Sequence, residues 1–143
     1  MVAYSFQRRF IEPILAGTKV GTIRALSPSP ARHARPDSVL QLYYGMRTRH
    51  CRLIATAICR SVDPIRLQFS GEPQIIVGDP RAARNGPNPP LVFGLKDSRD
   101  AFAQGDGFED WEALAEFWRT THREQNVFDG LWIRWRDVEP AKE

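Results

Sequence analysis

Long apolar runs are missing from this 143-residue chain, so no segment reads as a membrane-spanning helix. The N-terminus also lacks the apolar core of a signal peptide, and the expected location is cytoplasmic. Cysteine is scarce. Cys51 and Cys59 fall on one predicted strand, roughly 26 Å apart if fully extended, far beyond disulfide reach. Two free thiols suit a reducing compartment, and their shared strand face suggests packing. Histidine is equally thin: His33, His50 and His122 are scattered and share no ligand spacing with the cysteines, so neither a metal nor a cofactor is expected. There is no glycine-rich phosphate loop and no nucleophile elbow. Nor is there a large excess of one charge: the net value of +3 does not announce a nucleic-acid binder.

What is present is an ordinary apolar and charged balance, at a length suited to a single domain over residues 1–143. The distribution of charge says more than its sum. Arg32, His33, Arg35, Arg47, Arg49, His50, Arg52 and Arg60 crowd the first half around Tyr43 and Tyr44, while the acids concentrate from Glu109 onward. Arginine beside tyrosine suits phosphate pairing and base stacking, which makes Tyr43, Arg47, Arg49 and Arg52 candidate RNA contacts. The plainer reading is a solvated surface rich in arginine.

Alternation of apolar residues predicts strands at residues 4–6, 20–24, 39–44, 51–60 and 131–135, with weaker ones at 65–69, 74–77 and 91–95. The run GMRTRH joins two of them as a hairpin, and residues 26–35 and 79–90 read as exposed loops rich in proline. The clearest helix covers 110–123, with Trp111, Leu114, Ala115 and Trp118 on one stripe and Asp110 as its N-cap. That stripe reads as core.

The most informative stretch is residues 10–24, FIEPILAGTKVGTIR. Ile14 and Leu15 carry the apolar face of a short helix that Gly17 ends, and Lys19 falls in the turn that follows. Val20, Thr22 and Arg24 then alternate onto one side of a strand. A hydroxyl and a guanidinium beside an ammonium make either a half-solvated edge strand or a polar site. Arg24, with its planar fork, suits a phosphate or a base edge. Further on, Asp106-Gly107-Phe108 reads as a tight turn, and Phe108, Trp111 or Tyr43 are candidate stacking platforms.

The segment from Lys19 to Arg24 with its helix resembles the ILxGxKTxTIR signature of the ASCH domain family. FAQGDGFEDWEALAEF (102–117) resembles the family's acidic-Gly-Phe turn and amphipathic helix, and FDGLWIRW (128–135) its closing strand. The three occur in the family's order across nearly the whole chain. The resemblance implies a PUA-like fold: α+β, a small mixed, mostly antiparallel β-barrel with a short N-terminal helix and a C-terminal amphipathic helix packed on it. It also implies RNA or a nucleotide-like ligand as partner, bound between the Lys19–Arg24 segment and the Asp106 turn.

Some members of that family deacetylate acetylcytidine with a lysine, a threonine and a glutamate. Lys19 and Thr22 match the first two, and Asp106 stands where the glutamate is expected. On that reading Thr22 is the nucleophile or orients a water, Lys19 is its base, and Asp106 orients the lysine. A ribonuclease using Lys19, Arg24 and His33 or His50 is another alternative, and a regulatory module that touches only protein is a third. Read structurally, Lys19 and Asp106 form an ordinary ion pair.

Overall fold

The computed structural model describes residues 2–26, 33–79, 82, 85–121 and 126–142. Seven strands form one branched sheet: β1 (Val2–Phe6), β2 (Gly21–Ala25), β3 (Val39–Tyr44), β4 (Arg52–Gln68), β5 (Gln74–Val77), β6 (Leu91–Phe93) and β7 (Val127–Pro140). Among the described residues three α-helices accompany it, α1 (Ile11–Ala16), α2 (Lys96–Gly105) and α3 (Trp111–Thr121), with a 3-10 turn, Arg8–Phe10, leading into α1. The result is a small mixed α+β domain with helices packed on a sheet.

The spine is the 17-residue β4. Along one edge it pairs antiparallel with β7 from Ala55 to Gln68. Along the other it pairs first with β3, up to Ile58, and then with β5, from Ile65. Two separate strands, 51–60 and 65–69, were expected here, with Pro64 between them. Proline interrupts a ladder only where its missing N–H is needed. The Pro64 carbonyl accepts from Gly78 N–H on the β5 side. In a strand the N–H of the same residue would face that side too, in the interval where β3 pairing has ended and β5 pairing has not begun. The strand therefore runs through.

The expected barrel is not formed. Among the described residues β1 pairs with β3 alone, in parallel, and β2 with β7 alone, so their outer edges carry no ladder that could close the sheet. A side chain makes the link instead: the Arg24 guanidinium on β2 donates to the Ser5 carbonyl on β1 at 2.7 Å. The sheet stays open, with aromatic side chains packed beside that link.

Local expectations fare better. Gly17 ends α1 in the left-handed region at φ 81°. Asp110 caps α3 through its carboxylate to Ala113 N–H at 2.8 Å, and Trp111, Leu114, Ala115 and Trp118 are buried. The stripe packs on Phe69 and Phe128, with Trp118 and Phe128 ring centroids 4.4 Å apart. The last expected residues of that helix, His122 and Arg123, lie outside the described residues, as do parts of both proline-rich loops. Cys59 is buried but Cys51 is exposed just before β4, so the two do not share a packed face.

The helix α2 was not expected. Its sequence KDSRDAFAQG buries only Phe102 and Ala103, too little for apolar periodicity to register. Among the described residues no helix is long and apolar enough to cross a membrane.

Candidate functional site

Three local devices bring Lys19 and Asp106 together. After α1, the N–H groups of Thr18 and Lys19 both donate to the Pro13 carbonyl at 3.0 Å, which turns the chain tightly. Val20 N–H then bonds the Gly105 carbonyl at 2.8 Å, fastening this turn to the end of α2. On the other side, α2 closes with the paired bonds Phe108 N–H to Ala103 O and Gly107 N–H to Gln104 O. This is a glycine-dependent helix stop: Gly107 has φ +96°, and a Cβ there would sit 3.0 Å from both Lys19 Cδ and Phe10 Cδ1.

Lys19 Nζ donates to the Asp106 carbonyl oxygen at 2.6 Å and to its carboxylate Oδ1 at 3.2 Å. The ammonium thus meets the negative end of the α2 dipole as well as an acid. It also lies 4.6 Å from the Phe10 ring centroid and 5.6 Å from that of Phe6. Burial pushes the Lys19 pKa down and the Asp106 pKa up, while each partner resists the change in the other.

On β2, Thr22 is buried and Arg24 half-buried. Arg24 Nε donates to Thr22 Oγ1 at 3.2 Å, and its guanidinium carbon lies 4.9 Å from the Phe6 centroid and 5.1 Å from that of Tyr4. Desolvation lowers its pKa. A close approach places this strand: Gly130 of β7 pairs opposite Ala25, where a Cβ would collide with the Arg24 carbonyl.

These four residues line one pocket of about 290 Å³, with Ser5, Gln7 and the aromatic rings of Phe6, Phe10, Phe108, Phe117, Trp118 and Phe128. Lys19, Thr22 and Asp106 are the buried polar side chains of the described residues. Among the stacking candidates, Phe108 is in this wall, whereas Trp111 packs on Phe69 and Tyr43 sits half-buried on β3. Phe6 and Phe10 carried no motif signal; only their aromatic character beside the Lys19 segment pointed to them. Arg9, likewise unsignalled, lies over the Phe108 ring at 4.8 Å.

The other candidates lie elsewhere. Arg47 and Arg49 are exposed in the turn between β3 and β4. Arg52 lines a separate groove with Arg8, Ile11, Tyr44 and His50. His33 contacts Tyr4, its Nδ1 being 3.4 Å from the phenol oxygen, and neither His33 nor His50 lines the pocket of Lys19. Arg32 is outside the described residues. Among the described residues no group of three or more metal-ligating side chains occurs. In comparisons with known proteins, no family model, no curated protein and no solved structure matches the chain.

Proposed function

We propose that this chain binds a nucleotide-like ligand, free or as one unstacked base of an RNA, in the pocket between β1, β2 and the turn that follows α2. One observation carries the reading: every buried polar side chain of the described residues stands in the wall of a single aromatic-lined pocket, beside Arg24. Buried polar groups need partners, and a set of them gathered at an opening marks a binding place. The volume of about 290 Å³ is at the lower end for small-molecule sites and suits one heterocycle. Ring faces at Phe6, Phe10 and Phe108 offer stacking, as in the recognition of unstacked bases. The order of the ASCH-like motifs supports the same reading.

Isothermal titration of the purified protein with the four ribonucleoside 5′-monophosphates tests it. Saturable binding of at least one, weakened by Phe10→Leu, is the expected result. No heat from any of them would refute it.

A second reading, hydrolysis of an acylated pyrimidine nucleoside, is favoured by the lowered Lys19 pKa. Burial favours the neutral amine of Lys19, and a neutral amine can take a proton from a hydroxyl or a water. Thr22 Oγ1 accepts from Arg24, which leaves its own proton to give. Release of cytidine from acetylcytidine by the wild type, lost in Thr22→Val, would establish it.

A further inference from the structure

We infer that the ligand of this pocket presents an oxyanion, a carboxylate or a phosphate, to the guanidinium of Arg24. The inference rests on the proposed pocket and specifies the chemistry of what enters it.

Among the described residues, the ionisable ones in the pocket wall are Lys19, Asp106 and Arg24. Lys19 and Asp106 are paired at 3.2 Å. Their joint charge is zero whether the proton rests on the amine or on the carboxylate, so the position of that proton does not alter the balance. Arg24 is left over. Its hydrogen bonds among the described residues go to uncharged oxygens, Thr22 Oγ1 and the Ser5 carbonyl. No carboxylate of the described residues lies within ion-pair distance of it. The pocket thus carries one uncompensated positive charge, and Arg9 over the Phe108 ring adds a second at its border.

A cation withdrawn from water without a counter-charge is unfavourable, and the rings of Tyr4 and Phe6 offset only part of that penalty. An oxyanion would offset the rest. Geometry agrees: Nε and one terminal nitrogen are committed to Thr22 and Ser5, which fixes the plane of the fork. The N–H groups that these two bonds do not use meet no acceptor among the described residues and can reach a ligand. Thr22, whose oxygen accepts from Arg24, can donate its own proton to the same anion. The six rings in the wall then favour an anion carried on a flat apolar body over a bare inorganic one.

The test compares cytidine, cytidine 5′-monophosphate and benzoate by isothermal titration against the wild type and Arg24→Gln, whose folding is verified by thermal melting. Wild type should bind cytidine 5′-monophosphate more tightly than cytidine by roughly tenfold or more, the least expected of a charge-assisted hydrogen bond. Arg24→Gln should abolish that preference. If the preference survives the substitution, the phosphate is held on the surface and the inference is wrong. Equal affinity for cytidine and its monophosphate in the wild type overturns the inference but keeps the nucleotide reading. Binding of benzoate alone keeps the oxyanion and refutes the nucleotide. Binding of no probe overturns both. Should Arg24→Gln not fold, Arg24→Lys takes its place: it keeps the charge but loses the fork, and should reduce the preference; an unchanged preference overturns the inference.

Discussion

Lys19 and Asp106, 87 positions apart, meet through two hydrogen bonds, one to the carboxylate and one to the carbonyl that ends α2. Both side chains are almost wholly buried, at 3% and 6% exposure. The lysine therefore has two roles: it caps a helix and it balances an acid at the wall of a pocket.

Removing one partner should be costly. Lys19→Met keeps the length of the side chain but strands the Asp106 carboxylate, and breaking a buried pair in this way costs roughly 3–5 kcal/mol. Urea unfolding at neutral pH should show it. The double variant Lys19→Met/Asp106→Leu should recover most of that loss, because no uncompensated charge remains. A double variant as unstable as the single one would show that the cap, and not the charge balance, is what matters.

The same pair sets a pH dependence. Asp106 is raised above 3.8 in the folded chain, so the stability it contributes is present below that pH and is lost as pH rises through its folded value. Lys19 is lowered from 10.5, so its contribution is present above that pH and is lost as pH falls through its folded value. Wild-type stability relative to the double variant should dip between the two limits and recover toward each. Urea titrations across that range measure it, and a flat difference would contradict the assignment.

Gly107→Ala should displace the lysine. The backbone is at φ +96° and the added methyl would press on Lys19 Cδ and Phe10 Cδ1 at 3.0 Å. Strain of this kind costs about 1–3 kcal/mol, visible as a lower melting temperature. Gly71, also at positive φ but with nothing within 4 Å of a Cβ, supplies the comparison. Gly71→Ala should lose less.

The basic turn and the pocket should separate functionally. Arg47 and Arg49 are exposed, and Arg52 borders a different groove from that of Lys19. Arg49→Ala and Arg52→Ala should leave mononucleotide affinity unchanged. With a single-stranded RNA, each lost phosphate contact should reduce the logarithmic salt slope by about 0.7. Fluorescence titration at several salt concentrations reads both. A fall in mononucleotide affinity would place the phosphate on the turn and not at Arg24.

The sequence made the short-range devices legible. Gly17 stops α1 and Gly107 makes the expected tight turn because a residue without Cβ enters the left-handed region freely, although the helix that Gly107 ends was not foreseen. Asp110 caps α3 because its carboxylate reaches the N–H three residues on. The spacing of Trp111, Leu114, Ala115 and Trp118 declared a buried face. Of the residues gathered in the pocket, Lys19, Thr22 and Arg24 were nameable because charged and hydroxyl groups stood out against apolar patterning, whereas Asp106 was named from the resemblance. The barrel was not a safe reading. Alternation in β1 and β2 shows that each is a strand but not which edge meets which. Among the described residues β1 meets β3 and β2 meets β7, and the Arg24 bond to the Ser5 carbonyl joins the two edges in place of a ladder.

Neighbouring residues interact whatever the rest of the chain does, so caps, turns and apolar faces follow from composition at fixed spacing. Contacts between distant residues depend on how whole elements pack. The helix α2 has a weak apolar face, yet docks through Phe102 on Trp132, centroids 4.9 Å apart, and through Asp100 on the first N–H of α3. That docking carries Asp106 to Lys19. No local pattern contained the distance between them, because burial against β7 and α3 sets it.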